Sequence, residues 1–469
     1  MTLYKAYAGE IGELIAGGAL KPGQRLPSVR EAARHRRLGV LTVLKAYHLL
    51  ESRGLIVART RSGYFVNLRP LAPAAPAVSK PSVKPVAVEK GELIYEVLDA
   101  VRTGKVVPLG SAFPSPLLFP LPRLYRSLSR SVRALDPWRT VADLAPGNAE
   151  LRRRISLRYH LDGIDIPDNE LIVTDGAMEA LNLCLRAVTR PGDTVLIESP
   201  TFYVALQALQ NAGLRAVEIP THPAQGIDLE ALATALRRHK PAACWLMTSF
   251  QNPLGALMSE ARKRELVQLL DRHGVPLVED DVYGELYYAD ERPKPAKAFD
   301  ETGNVLHCSS FSKCLAPGYR IGWAAPGRYA KKVQQLKLSS TLSAAVPSQL
   351  ALADYLDGAA YDRHLRDLRK TLHQQRDAMI AAVREFFPQG TKLTCPEGGY
   401  FVWVELPSGA DTLKLHREAL QQGISIAPVA IVSARDDFSR CLRLNYGHPE
   451  DRRVNRALKT LGRLAAAQL

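Results

Sequence analysis

The chain has 469 residues, 46% of them hydrophobic, and a formal net charge of +15, a length that exceeds one ordinary domain and allows a large core beside a smaller one. No apolar run approaches the roughly 18 residues of a membrane span, and Met1 to Lys5 lead straight into an amphipathic segment without a signal peptide, so no membrane partner and a cytoplasmic location are expected. The cysteines (Cys184, Cys244, Cys308, Cys314, Cys395 and Cys441) are scattered without a Cys-x-x-Cys pair or a nearby His cluster, which argues against a disulfide framework or a metal site and reads as six buried thiols.

Charge is concentrated at the start: the first 90 residues hold 15 Lys/Arg against 5 Asp/Glu, which favours a polyanionic partner there. Apolar residues at Ile11, Leu14 and Ile15, and then at Val43, Ala46, Tyr47 and Leu50, recur at helical spacing, with Gly54 as a stop signal. Leu55 to Arg59 and Tyr64 to Val66 flank a turn that ends in Gly63, so three short helices and a hairpin are predicted. In a helix-turn-helix reading, Ser28 to about Arg36 braces on the DNA backbone, and Val40 to about Arg53 enters the major groove. Ser28 caps the first of these helices, and Arg30 in its first turn is placed for a phosphate or a base edge. Thr42, Lys45 and His48 are the polar residues left on the second helix once its core set is removed. Taken alone, the same charge pattern also describes a solvated helical face.

From Arg69 to about Lys90 recurrent prolines block helix continuation and favour extended chain, the pattern of a semi-rigid linker. Beyond it, β-like runs at Leu171–Val173, Thr194–Ile197, Ala243–Leu246, Val275–Val278 and Asn304–His307 alternate with long helical stretches. That alternation predicts a mostly parallel sheet covered by helices, with a smaller α+β lobe from about residue 325.

Ligands of such sheets sit beyond the carboxyl ends of the strands, and chemistry-bearing residues cluster there. Lys313, in Ser310-Phe311-Ser312-Lys313, is an amine able to form an imine with an aldehyde if unprotonated and aimed. Asp280 supplies a carboxylate for a pyridine nitrogen, and Tyr283 and Asn252 supply a phenol and an amide for a ring hydroxyl. The strand-to-helix junction Thr174-Asp175-Gly176-Ala177-Met178, together with Ser310, Ser312 and Arg320, offers what a phosphate requires. Tyr203 could stack on a ring or pack in the core.

The order Gly176-Ala177, Tyr203, Asn252-Pro253, Asp280 with Tyr283, Ser310-x-Ser-Lys313, Arg320 and Arg443-Leu444-Asn445 resembles the fold-type I aminotransferases over roughly residues 105 to 465. The resemblance implies pyridoxal 5'-phosphate as cofactor and Lys313 as the Schiff-base lysine. Asp280 would face the pyridine nitrogen, Tyr283 and Asn252 the ring oxygen, and Ala177, Met178, Ser310, Ser312 and Arg320 the phosphate. Arg443 would take the α-carboxylate of an amino-acid ligand.

Residues 4 to 67 are similar to the winged helix-turn-helix of GntR-type bacterial repressors, through Gly23 to Arg30, the Thr42 to Leu55 pattern and Ser62 to Val66 as the wing. That similarity adds Arg25, Arg59, Arg61 and Gly63 to Ser28, Arg30, Thr42, Lys45 and His48 as candidate DNA contacts. The turn reads Arg37-Leu38-Gly39-Val40 where Gly-Val-Ser-Arg is common, and Arg36 stands where an apolar residue is usual.

The pair resembles the MocR subgroup: a winged helix-turn-helix (1–68), a Pro/Ala/Lys-rich linker (69–90) and an α/β aminotransferase-like effector and dimerisation domain with a smaller C-terminal lobe (91–469). The resemblance implies a homodimer on a double-stranded DNA operator, responsive to pyridoxal phosphate or its adduct with an amine or amino-acid effector. A working aminotransferase that carries a DNA tether is the alternative.

Overall fold

Helical spacing of apolar residues builds the N-terminal unit: α1 (Leu3–Ala16), α2 (Val29–Arg36) and α3 (Val40–Ser52) enclose Tyr7, Ile11, Val43, Ala46, Tyr47 and Leu50, all buried. These features belong to a computed structural model describing residues 3–21, 23–52, 55–59, 62–66, 74–81, 84–86, 106–428, 433, 438–449 and 451–469. α2 starts on a capping box, in which the Glu31 amide donates to Ser28 Oγ at 3.2 Å and the Ser28 amide to Glu31 Oε2 at 3.3 Å. The wing is the antiparallel pair β1 (Ile56–Arg59) and β2 (Gly63–Val66). The chain before α2 adds to it, since the Leu26 amide donates to Tyr64 O and the Val66 amide to Gln24 O. Arg36 is explained by its surroundings: it pairs with Glu10 at 3.2 Å and lies over the Tyr7 ring, so a cation here fastens α2 to α1.

The two compact units divide at Pro73–Ala74, inside the segment expected as a semi-rigid linker (69–90). Residues 74–81 and 84–86 fall within the large unit and contain no helix. Val86 exchanges two backbone hydrogen bonds with Ala216, and the buried Ser79 hydroxyl donates to Ser199 O.

In the large unit, β3 is Val107–Pro108 and β4 is Ile172–Thr174. An eight-stranded sheet follows the order β4, β11 (Gly322–Ala325), β10 (Val305–Ser310), β9 (Leu277–Asp280), β8 (Ala243–Leu246), β5 (Thr194–Ser199), β6 (Arg215–His222), β7 (Gly226–Ile227). The run from β10 to β6 is parallel and buried on both faces, as expected of strands covered by helices. β11 is antiparallel to both its neighbours.

The smaller lobe carries a four-stranded sheet, β12 (Lys392–Leu393), β13 (Phe401–Glu405), β16 (Cys441–Asn445) and β15 (Ala427–Pro428). This lobe is not purely C-terminal, because β3 pairs in parallel with β14 (Ile424–Ser425). The expectation of six buried thiols needs one correction: Cys395 is exposed and the other five are buried. Extended chain alternates its faces, so with Thr394 and Pro396 turned inward Cys395 points to solvent. Among the described residues no helix is long and apolar enough to cross a membrane.

Candidate functional site

The parallel strands end together, and there a cavity of about 380 Å³ opens, within the ~300–1,000 Å³ of ligand sites. Every residue expected to hold the cofactor lines it except Gly176, which stands just behind the wall as the cap of helix Ala177–Val188. Asp280 ends β9 and Ser310 ends β10, and the tight connection after β10 brings Ser312 and Lys313 round to face them.

Lys313 Nζ donates to Ala112 O at 2.9 Å and lies 3.9 Å from the centre of the Phe113 ring. Enclosure by protein lowers its pKa to about 7; Asp280 opposes that shift, while Arg443 and Arg320 add to it. Burial raises the Asp280 carboxyl to about 7 against the pull of Lys313, and its Oδ1 has no hydrogen-bond partner. Asn252 Nδ2 donates to Tyr283 Oη at 3.3 Å, which joins amide and phenol in one wall.

Helix Ala177–Val188 receives no side-chain cap, so amides of its first turn stay free for an anion. Arg320 adopts a left-handed backbone (φ 53°) that turns its guanidinium back onto Ser312 Oγ (3.3 Å) and Asp175 O (3.0 Å). Gly176 has φ +84°, and a Cβ there would collide with that guanidinium. Gly176→Ala is therefore expected to displace Arg320 and destabilise the unit by about 1–3 kcal/mol, which a thermal melt measures together with weakened retention of inorganic phosphate.

Arg443, on β16, is buried: Nη1 donates to Asn252 Oδ1 (2.9 Å) and Nη2 to Gly110 O (2.6 Å) and Ser111 O (3.3 Å), while Nε has no hydrogen-bond partner. The two Nη groups are tied to Asn252 and to the backbone of Gly110 and Ser111, and Nε is the donor left without a partner. The segment Gly110–Phe113 thus belongs to the site, and sequence reasoning missed it. Its one signal is Gly110, where a Cβ would strike the backbone of Ile426.

On the N-terminal unit, Lys45 and His48 are exposed on α3 with Thr42 half-buried beside them, Ser28 and Arg30 are exposed at the start of α2, and Arg25 is exposed in the chain before it. Arg25 pairs with Phe65 through its backbone and lies against the wing glycine Gly63 (φ +98°). Arg59 is the last residue of β1, and Arg61 lies outside the described residues.

Together these features define a winged helix-turn-helix joined to an aminotransferase-like domain of fold type I. Residues 3–66 match the family of bacterial regulatory proteins of gntR type, and residues 139–461 match aminotransferase class I and II. The HTH-type transcriptional regulator YdcR of Escherichia coli K12 is 46% identical over 470 aligned residues, covering 100% of both chains. The chain belongs to the GntR-type HTH regulators that carry an aminotransferase domain, the MocR arrangement. Among solved structures, the kynurenine aminotransferase of Pyrococcus horikoshii, in complex with PMP, is similar with a TM-score of 0.74 and 31% identity, covering 81% of this chain and 96% of that one. The α-aminoadipate aminotransferase LysN of Thermus thermophilus, complexed with N-(5'-phosphopyridoxyl)-L-leucine, is similar with a TM-score of 0.73 and 28% identity, covering 81% and 95%.

The cofactor implied by this fold is pyridoxal phosphate, and the residues present suit it. An unpartnered buried carboxylate oxygen, an amine with a lowered pKa and free helix amides beside Arg320 are complementary to a pyridine nitrogen, an aldehyde and a phosphate.

Proposed function

We propose that this chain is a transcription regulator whose large unit senses pyridoxal phosphate, or its adduct with an amino acid, and whose N-terminal unit reads an operator. The carrying observation is that Lys313 and Asp280 share one cavity, each with its pKa drawn to about 7. When bound, pyridoxal phosphate supplies an aldehyde and an electron-withdrawing ring. Lys313 holds a neutral amine for covalent attachment, Asp280 presents its carboxylate to the ring nitrogen, and Tyr283 and Asn252 hold the ring oxygen. Tyr203 covers one ring face. The amides of Ala177 and Met178, the hydroxyls of Ser310 and Ser312, and Arg320 bind the phosphate. Arg443 receives the ligand carboxylate.

In the N-terminal unit, α3 enters the major groove with Thr42, Lys45 and His48, while Arg25, Ser28, Arg30, Arg59, Arg61 and Gly63 contact the backbone and the adjoining groove. A homodimer through the large unit places two readers on two half-sites. The name of the relative YdcR supports the regulatory reading. Arg30→Ala and Lys45→Ala are each expected to weaken binding to DNA flanking the gene. A residue that touches phosphate reduces the slope of log affinity against log salt by about 1. Unchanged isotherms in both variants would reject this interface.

The presence of Lys313, Asp280 and Arg443 together favours a second reading, a working aminotransferase. Multiple turnovers with an amino acid and a keto-acid acceptor would support it; reaction limited to about one equivalent supports the sensor.

A further inference from the structure

The chain that leads to the reader is fastened to both lobes of the large unit within a few residues. On the small lobe, the Leu393 amide of β12 donates to Ala74 O at 3.3 Å, and the Ala77 amide donates to Glu405 Oε2, at the end of β13, at 2.8 Å. Glu405 is itself held by Arg440 at 2.8 Å. On the large lobe, Ser79 Oγ donates to Ser199 O at 2.6 Å and accepts from the Thr221 amide at 3.3 Å, and Val86 bridges to Ala216 of β6. Pro76 and Ser79 are buried while Ala74, Ala75, Ala77, Val78 and Lys80 are exposed. That spacing of three is the repeat of a polyproline helix lying along a surface.

Two of the anchors lie a few residues from a ligand-facing group of their own lobe. Glu405 is on β13, which pairs with β16 in the register Trp403 to Arg443 and Glu405 to Cys441. Ser199 ends β5 and is followed by the turn to Tyr203, which lines the cavity. A ligand held between Lys313 on the large lobe and Arg443 on the small one therefore pulls on the strands that hold the tether. Between Ala77 and Ser79 extended chain spans at most about 7 Å. It has little slack to absorb a change in the cleft.

We infer that residues 74–81 and 84–86 form a two-lobe clip, through which ligand-driven movement of the cleft loosens or tightens the tether of the DNA reader. This inference rests on the sensor reading above, and both are tested in one experiment. Hydrogen exchange is followed by mass spectrometry on the full-length chain, with and without N-(5'-phosphopyridoxyl)-L-leucine, in the wild type and in Ser79→Ala and Ala77→Pro. The first variant removes the large-lobe hydroxyl; the second removes the amide donor to Glu405 while keeping extended chain.

In the wild type the conjugate is expected to protect peptides containing Lys313 and Arg443 and to change exchange in the 74–86 peptide severalfold. In each variant pocket protection persists, and the response of 74–86 falls to less than half. Pocket protection with no response of 74–86 in the wild type, or a full response in both variants, overturns the clip and leaves the sensor reading standing. No protection of the pocket overturns the sensor reading and the clip together.

Discussion

Lys313→Ala is expected to abolish the near-visible absorption band that pyridoxal phosphate gains on condensing with the protein, and to weaken retention of the coenzyme by at least about 100-fold, or roughly 3 kcal/mol. The reason is that Lys313, alone among the described lysines, lines the cavity, and that about half of it is unprotonated near neutrality. An ordinary lysine is under roughly 0.1% neutral at pH 7, whereas one with a pKa of about 7 is half neutral. Capture of the coenzyme by the apo-protein is accordingly expected to accelerate about tenfold between pH 6 and pH 8 and then level off. The sign follows from the reactive form being the deprotonated amine, whose pKa burial has lowered. Stopped-flow absorbance gives the profile. A band that survives in Lys313→Ala, or a rate that climbs steadily to pH 10, rejects Lys313 as the attachment point.

Arg443→Lys is expected to leave coenzyme binding intact and to reduce affinity for amino acids about 10- to 100-fold. The guanidinium fork spans Asn252 Oδ1, Gly110 O and Ser111 O from two separate nitrogens, and a single ammonium cannot reproduce that geometry. Spectral titration with L-leucine and with 3-methylbutylamine, its decarboxylated counterpart, separates the roles. The wild type should prefer leucine, and the variant should bind the two alike. Arg443→Ala is a harsher change, because it strands buried carbonyls at about 1–3 kcal/mol each. If Arg443→Lys retains the preference for leucine, the carboxylate is held elsewhere.

Much of this architecture was legible because periodicity and motif order report local needs. The parallel strands announced themselves as apolar runs, and the residues at their carboxyl ends, from Thr174 to Ser310, follow from the topology of such sheets. The capping box of α2 was half visible in Ser28, with Glu31 completing it. Other features depend on tertiary pairing and left little trace. Gly110 to Phe113 has no periodicity, and it joins the site because Arg443, Asn445 and Tyr400 reach its carbonyls from far along the chain. Prolines between Arg69 and Lys90 signalled extended chain, yet free and docked extended chain share the same composition; Ser79 settles that question only through Ser199 and Thr221, 120 and 142 residues away. Arg36 looked anomalous because its partners, Glu10 and Tyr7, lie on another helix.

The central claim is that occupancy of the cavity is felt at the DNA. A ligand shifts the reader only if it prefers one arrangement of the dimer over another. The most direct measurement is fluorescence anisotropy of DNA flanking the gene, titrated with full-length wild type or Lys313→Ala, with and without pyridoxal phosphate. The account requires operator affinity to change about tenfold or more with the coenzyme, equivalent to about 1.4 kcal/mol, in the wild type and not in the variant. Coincident wild-type isotherms with and without the coenzyme, on a protein whose absorption shows the site filled, would contradict it.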